Sequence, residues 1–170
     1  MAPSARADVR IEPWGEGDLA LLHGLLGDPV MMEHLGGPDT AEQIEARHAR
    51  YLASSDPVMR VVDVATGEGI GWVGYWEREW QGAQVFETGW SVLPAHWGRG
   101  VARAATAQML ELARAEQRLR WVHAYPGVDN AGSNGVCRSL GFELRGAVDL
   151  PLTAKDLTLR CHDWRYDLEA

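Results

Sequence analysis

The sequence predicts an α/β (α+β) fold in which short strands and amphipathic helices are interspersed along one chain. Two kinds of pattern carry this prediction. Several short runs alternate apolar with polar residues, as half-buried strands do, and other stretches repeat apolar residues every three or four positions, as helices do. Turn sequences at 66–69 and 81–82 separate three of the predicted strands, which is typical of neighbouring antiparallel strands.

The predicted elements begin with a strand over 8–14, where apolar and polar residues alternate. Asp18 can cap a first helix, and either Asp39 or Thr40 can cap a second. Three strands, a long helix, a strand, a short helix and two final strands follow, at 58–65, 70–80, 85–93, 100–117, 119–125, 130–140, 142–148 and 159–168. No linker, internal repeat or low-complexity stretch interrupts this order.

Length and composition indicate a globular protein. With 170 residues, 46% of them hydrophobic, we expect residues 1–170 to form a single domain. The formal net charge of −8 argues against nucleic acid as a partner, because phosphate binding requires a positive field.

The two cysteines and six histidines show no metal-ligand spacing, so no metal is expected. No apolar run has the length of a membrane span or signal peptide, so we expect a cytoplasmic protein without a membrane partner.

A glycine-rich turn at 97–102, with the sequence Trp-Gly-Arg-Gly-Val-Ala, lies between the strand over 85–93 and the long helix. A strand that ends in such a loop before a helix directs several backbone N–H groups to one point, where the helix dipole favours negative charge. The turn matches neither the Walker loop nor the G-x-G-x-x-G pattern. It is a candidate pyrophosphate site, although an ordinary strand-to-helix turn could use the same glycines.

The turn resembles the acyl-CoA loop of the GNAT acetyltransferase superfamily, pattern Gln/Arg-x-x-Gly-x-Gly/Ala, with Gly100 at the fourth position and Ala102 at the sixth. Its residues Trp-Gly-Arg-Gly are most similar to those of the RimJ/RimL-type branch. In a second motif, Asn130 and Ser133 begin a short helix that Leu-Gly-Phe at 140–142 closes, similar to the Asn-x-x-Ala/Ser helix of this family. The order of elements also resembles the GNAT fold, a mixed, mostly antiparallel twisted sheet with helices on both faces.

The resemblance implies acetyl-CoA as the co-substrate. In this family the strand before the loop separates from the strand after the long helix, and its unpaired backbone groups bind the pantetheine arm. The N–H of Val92 would then polarise the thioester carbonyl. Asn130 can equally be a helix cap, and Arg99 or Arg103 can equally be solvated. The cofactor-binding residues implied are Ser91, Val92, Leu93, Arg99, Gly100, Val101, Ala102, Arg103, Asn130 and Ser133.

Glu87 is the candidate general base, because it is an acid inside a predicted central strand where an apolar or small residue is expected. Alternation places it on one face with Gly89 and Ser91, and a pairing with an arginine is the competing explanation. Many family members have a tyrosine acid seven residues after the helix asparagine, and Cys137 stands there in this sequence. A thiol could protonate the departing CoA thiolate, but a small core residue is the simpler interpretation.

The function implied is direct transfer of an acetyl group to a primary amine, which could be a protein N-terminus, an amino acid, or a small amine or antibiotic. Family position places four residues beside this acceptor, Met31, Met32, Glu33 and His34. Trp90 is one of several tryptophans that could line its pocket or fill the core. The alternative function is a non-catalytic acyl-CoA-binding sensor, because Ala104 stands where the branch has an acidic residue. The last strands offer an edge that a second copy could cover, which allows a homodimer.

Overall fold

The computed structural model describes residues 7–170, and this part of the chain contains seven strands, four α-helices and four short 3-10 helices. The strands are β1 (Val9–Pro13), β2 (Val58–Asp63), β3 (Gly69–Trp80), β4 (Ala83–Val92), β5 (Trp121–Ala124), β6 (Glu143–Leu152) and β7 (Leu157–Asp167). The helices are α1 (Leu19–Leu26), α2 (Ala41–Ala53), α3 (Val101–Glu116) and α4 (Ala131–Leu140).

All seven strands belong to one sheet, in the order β1-β2-β3-β4-β5-β7-β6. Only β4 and β5 are parallel, and every other neighbouring pair is antiparallel. The prediction of a mixed, mostly antiparallel sheet is therefore confirmed. The register between β3 and β4 runs without a shift from Gly71 opposite Val92 to Trp80 opposite Ala83, so strict alternation decides which face each side chain takes.

Helices cover both faces of the sheet, as the sequence predicts. On one face α1 and α2 pack around Leu22, Leu25 and Ile44, and they also contact Trp72 of β3. On the other face the apolar side of α3 packs against the sheet, and Val73, the next residue of β3, lies in this second core. Successive residues of a strand point to opposite faces, so one strand serves both cores.

The start of α2 settles one alternative that the sequence leaves open. The Thr40 Oγ1 accepts a hydrogen bond from the Gln43 N–H at 3.2 Å, and the Gln43 Oε1 accepts one from the Thr40 N–H at 2.8 Å. This reciprocal pair is a capping box, so Thr40 rather than Asp39 is the cap. Asp18 does not cap α1, because its carboxylate accepts from the Gly15 N–H at 2.7 Å.

The sheet opens where β4 and β5 part. Phe86 pairs with Val122 and Glu87 with His123, but no further pair follows although β4 continues to Val92. The whole of β5 pairs with β7 on its other side, and the chain then turns at Pro126, whose carbonyl accepts from the His162 N–H at 2.9 Å. The last part of β4 therefore faces a gap instead of a neighbouring strand.

Candidate active site

A cleft of about 890 Å³ fills the gap between the separated strands. One half, here called the cofactor half, is lined by the end of β4, the glycine-rich turn and the first residues of α3 and α4. The other half, here called the acceptor half, lies beside the segment between α1 and α2. Its lining residues include Glu33, His34, Trp72, Trp76, Glu87, Leu159 and Cys161. The two halves meet along β4.

The backbone of β4 directs a donor into the gap. The Leu93 N–H donates to the carbonyl of Ile70, a residue of the neighbouring strand β3, at 2.9 Å. Hydrogen-bonding direction alternates along an antiparallel strand, so the Val92 N–H faces away from β3 and towards the cleft. The Trp97 indole N–H donates to the Val92 carbonyl at 2.7 Å and holds this residue in place. Val92 and Ser91 line the cleft, whereas Leu93 lies outside it with its N–H already bonded.

The glycine-rich turn has the geometry of an anion cradle. Gly98 and Gly100 have φ values of +75° and +76°, a left-handed conformation that favours glycine. The first hydrogen bond of α3 runs from the Ala104 N–H to the Gly100 carbonyl. The N–H groups of the preceding residues of α3 therefore have no partner within the helix, and the residues that carry them, Val101, Ala102 and Arg103, line the cleft.

The two arginines of this region have different positions. Arg99 turns away from the cleft: its Nη1 lies 2.8 Å from the His96 Nδ1 and 3.6 Å from the buried carboxylate of Asp63. Arg103 is exposed, lines the cleft and has no ion-pair partner within residues 7–170. Of these two arginines, Arg103 alone is therefore placed to meet an anion in the cleft, and the Arg99 side chain takes neither of the two positions that the sequence left open, since it contacts His96 and Asp63.

The start of α4 forms the opposite wall of the cofactor half. The Asn130 Oδ1 accepts from the Ser133 N–H at 3.1 Å, so Asn130 does cap the helix, and both residues line the cleft. Asn134, which the sequence analysis did not single out, fixes this helix end. Its amide group donates to the carbonyls of Gly127 and Asn130 at 2.9 and 2.8 Å, and its oxygen accepts from the Trp164 indole at 2.8 Å.

Glu87 lies at the last pair before the strands part, and its side chain is 20% exposed on the cleft wall. Its Oε2 accepts from the Trp76 indole N–H at 2.7 Å, and its Oε1 accepts from the Arg78 Nη1 at 3.2 Å. The arginine pairing that the sequence left open is therefore present. Each oxygen of an ionised carboxylate can accept more than one hydrogen bond. Glu87 can therefore accept a further hydrogen bond in addition to those from Trp76 and Arg78.

Cys137 lies in the main core and is fully buried, away from the cleft. Burial raises the pKa of its thiol to about 12, so it is a weaker proton donor than an ordinary cysteine. The core interpretation of Cys137 is therefore the one that the structure supports, and the expectation that it protonates a thiolate is corrected. The physical reason is helix phase, since α4 directs this residue to the sheet rather than to the cleft.

Tyr125 is a cleft residue that the sequence analysis missed. It follows β5 directly, and its ring stacks on His123 at 5.9 Å between centroids. The hydroxyl is buried and has no hydrogen-bond partner within the described part of the chain. Burial raises the pKa of this phenol, and the nearby charge of Asp163 raises it further. Tyr125 thus lines the cleft, but its hydroxyl is buried and, like the Cys137 thiol, has a raised pKa, so neither group is a favourable proton donor.

The predicted acceptor residues divide into two groups. His34 lines the cleft between Glu33 and Asp129, with nitrogen-to-oxygen distances of 3.3 and 3.4 Å, and Trp90 lines it as well. Met32 is only 4% exposed and belongs to the core under α1 and α2, so its placement at the cleft is corrected. Its neighbour Met31 takes that place, because a short turn rotates successive side chains to different sides.

Aromatic rings form the wall of the acceptor half. Tyr51 of α2 stacks on Trp72 at 5.7 Å with an interplanar angle of 16°, and Trp72 lies 6.2 Å from Trp76. Within residues 7–170 no three histidine, cysteine, aspartate or glutamate side chains are grouped as metal ligands would be. In the same part of the chain no helix is long and apolar enough to cross a membrane.

The family follows from a comparison with known proteins. The sequence profile of the acetyltransferase (GNAT) domain matches residues 8–143, which is most of the chain. The chain belongs to the GNAT acetyltransferase family. The glycine-rich turn, the separated strands and the start of α4 described above all lie within the matched residues. Only the final hairpin of this GNAT protein extends beyond them.

Solved structures share the whole GNAT architecture of the chain. A GNAT-family acetyltransferase from Bacillus anthracis has a TM-score of 0.81 at 17% identity and covers 98% of this chain and 99% of its own. Spermidine N-acetyltransferase from Vibrio cholerae, solved with CoA and spermine, has a TM-score of 0.76 at 16% identity, covering 95% and 96%. Ribosomal-protein-S5-alanine acetyltransferase from Vibrio fischeri has a TM-score of 0.72 at 15% identity, covering 95% and 93%. At these identities the likeness concerns the fold.

Chemical labelling tests whether the Cys137 thiol is buried in the folded protein. At pH 8 a thiol of pKa 12 holds about a thousandth of the thiolate of one of pKa 9, so we expect iodoacetamide to modify Cys137 extremely slowly in the folded protein. The folded state also holds this proton more tightly than the unfolded state, so the free energy of unfolding falls as pH rises above about 9. Mass spectrometry of timed alkylation, with urea-unfolded protein as the control, measures the first effect. Rapid labelling of Cys137 in the native state would contradict its burial.

Proposed function

We propose that this GNAT protein is an acetyl-CoA-dependent N-acetyltransferase of the RimJ/RimL-like branch, which transfers an acetyl group directly to a primary amine. The observation that carries the proposal is the gap between β4 and β5, where the unpaired N–H of Val92 lies beside the unpaired N–H groups at the start of α3. Donors arranged in this way fit a ligand with a pyrophosphate at one end and a carbonyl at the other.

Each group of residues in the cofactor half has a role in the proposed binding of acetyl-CoA. The N–H groups of Val101, Ala102 and Arg103 would hold the pyrophosphate, and the Arg103 guanidinium adds a charge-assisted contact. Ser91 and Val92 would contact the pantetheine arm, with the start of α4 on the other side. When bound, acetyl-CoA supplies the thioester whose acetyl group is transferred. The Val92 N–H then stabilises negative charge that develops on the carbonyl oxygen.

The acceptor amine must lose a proton to react. A lysine-like amine of pKa about 10.4 is neutral in roughly one molecule in 2500 at pH 7, a deficit of about 4.6 kcal/mol, whereas an α-amine of pKa near 8 has a deficit of about 1.4 kcal/mol. Glu87 is the carboxylate of the acceptor half that lies at the parting of the strands, and we assign to it the role of receiving this proton.

The family resemblance and the comparisons allow more than one acceptor. The Trp-Gly-Arg-Gly turn is similar to the RimJ/RimL-type branch, and the Vibrio fischeri structure of the same fold is named for alanine of ribosomal protein S5. The Vibrio cholerae structure of the same fold is named for spermidine. A protein N-terminus and a small polyamine are therefore the two acceptors to test first for this chain.

A specific observation supports a second candidate function, a non-catalytic acyl-CoA sensor. Both oxygens of Glu87 already accept hydrogen bonds, from Trp76 and Arg78, as they would in a carboxylate with a purely structural role. Such a protein would bind acetyl-CoA in the same cofactor half without transferring its acetyl group. The two functions therefore differ in turnover and not in binding.

Release of CoA thiol from acetyl-CoA distinguishes the enzyme from the sensor. We expect release that depends on a primary amine, measured with a thiol reagent across a panel of peptides with free N-termini, amino acids and polyamines. In parallel, CoA at about 100-fold excess over its Kd should raise the free energy of unfolding by about 2.7 kcal/mol. Stabilisation without thiol release for any amine would favour the sensor, and absence of both would exclude the proposed cofactor half.

Gly100→Val tests the pyrophosphate cradle. Gly100 lines the cleft, and no protein atom lies within 4 Å of a Cβ built there, so a larger side chain can be accommodated by the protein but would occupy space beside the cradle. We expect the Kd for CoA to rise about tenfold or more, equivalent to about 1.4 kcal/mol of binding free energy. Isothermal titration calorimetry measures it directly.

Gly67→Val is the matched control for this substitution. Gly67 has a φ of +75°, also has open space around its Cβ position, and lies in a turn away from the cleft. Both variants should lose about 1–2 kcal/mol of stability from the left-handed conformation, but only Gly100→Val should lose CoA affinity. Equal Kd values for CoA in the two variants would contradict the proposed pyrophosphate cradle.

Glu87→Gln tests the proton acceptor. We expect kcat/KM to fall by about 10²- to 10⁴-fold and the shape of the pH–rate profile to change, because the amide cannot take up a proton. Glu79→Gln, an exposed carboxylate on the neighbouring strand β3, is the control and should leave both unchanged. A lower rate with an unaltered profile would instead assign Glu87 to positioning of the amine.

A further inference from the structure

The turn between β6 and β7 docks on the segment between α1 and α2 through an ion pair. Lys155, the only lysine of the chain, places its Nζ 3.0 Å from the Asp39 Oδ1 and also donates to the Gly37 carbonyl. The two side chains are only 13% and 6% exposed. Arg47 of α2 lies at 3.8 Å from the second carboxylate oxygen, so Asp39 is surrounded by positive charge from two elements.

The packing around this ion pair is close. A Cβ built at Gly36 would lie 2.5 Å from the Leu157 Cδ1 and 3.1 Å from the Lys155 Cδ, and the residue has a φ of +80°. Only glycine fits this contact without displacement. The turn therefore rests directly on the α1–α2 segment, with the lysine stem between them.

The docked contact stands at the rim of the acceptor half. The residues just before Gly36, from Glu33 to Leu35, line the cleft from the side of the α1–α2 segment. Leu159 and Cys161 of β7, just after the docked turn, line it from the other side. The ion pair thus joins two segments that both contribute lining residues to the acceptor half.

A second ion pair on the same hairpin shows why the buried one matters. Asp149 and Arg160 lie 3.1 Å apart, but their side chains are 60% and 55% exposed, so water and salt screen the attraction. Loss of one partner there leaves a solvated charge. Loss of Asp39 leaves the largely buried Lys155 ammonium without a charged partner, which favours release of the turn, whereas loss of Lys155 leaves Asp39 with Arg47 but removes the link to the turn.

We propose that the Lys155–Asp39 ion pair is a latch that holds the β6–β7 turn on the α1–α2 segment and so restricts the acceptor half to compact or linear amines. This inference rests on the proposed function for its consequence, but the latch itself is a property of the fold. Lys155 and Asp39 are positioning residues, since they act through the segments that they join.

Proteolysis after Lys155 tests the latch without requiring acetyl transfer. Endoproteinase Lys-C has a single site, after Lys155, and cleavage would give fragments 1–155 and 156–170. Because cleavage of a docked turn requires local opening, we expect Asp39→Asn to be cut about tenfold faster than the parent protein. Asp149→Asn, which breaks the exposed pair of the same hairpin, should be cut at the parent rate. Protection of Cys137 from iodoacetamide in all three proteins shows that the opening is local.

Amine selectivity tests the consequence. The ratio of kcat/KM for spermidine, a linear amine, to that for kanamycin, a three-ring amine, should fall about fivefold or more in Asp39→Asn and in Lys155→Met, because 1 kcal/mol of steric exclusion corresponds to about this factor. The Kd for CoA and the ratio in Asp149→Asn should not change.

The outcomes separate the latch from the proposed function. Equal Lys-C rates for Asp39→Asn and the parent would overturn the latch, whether or not the protein transfers acetyl groups. Faster cleavage with an unchanged amine ratio would overturn its role in selectivity. If no amine reacts with any of the proteins, the proposed enzyme fails, and the Lys-C rates still decide whether the ion pair holds the turn.

Discussion

The separation of β4 from β5 is the constraint on which the rest of the site depends. Two strands that stayed paired would satisfy the backbone groups of β4 and leave neither a gap nor a free donor. Because pairing stops at Glu87 and His123, the Val92 N–H faces the cleft and the side chain of Glu87 lies at its wall. The same separation leaves room for the starts of α3 and α4, so one break in a sheet creates the whole cofactor half.

Several tertiary contacts maintain this break. β5 is drawn towards β7, where the buried His123 and Asp163 approach to 2.6 Å and the Trp80 indole donates to the same carboxylate at 3.1 Å. On the far side, Asn134 ties the start of α4 to the loop that follows β5. These buried groups hydrogen-bond to one another or to the backbone, so moving β5 or the start of α4 would leave polar atoms without partners. Several buried hydrogen bonds therefore stabilise the gap.

The acceptor half depends on different forces. Its aromatic wall and the carboxylate of Glu87 come from adjacent strands in strict register, whereas its rim is closed by the Lys155–Asp39 ion pair between segments far apart in the chain. Arg78 connects β3 with the residue that follows β5, since it pairs with Glu87 and lies 4.9 Å above the ring of Tyr125. This half thus combines an aromatic wall on paired strands with a contact between distant segments that depends on one largely buried ion pair.

The sequence by itself determined the features that short-range rules govern: the order of elements, the glycines with positive φ before α3, the asparagine cap of α4 and the face on which Glu87 lies. The tertiary structure alone decided which neighbouring residue reaches the cleft and which partner each charge has. Met31 rather than Met32, Arg103 rather than Arg99, and Tyr125 rather than Cys137 line it. These outcomes depend on helix phase and on contacts such as Lys155 with Asp39, whose partners are brought together only when the sheet is assembled, so no local pattern encodes them.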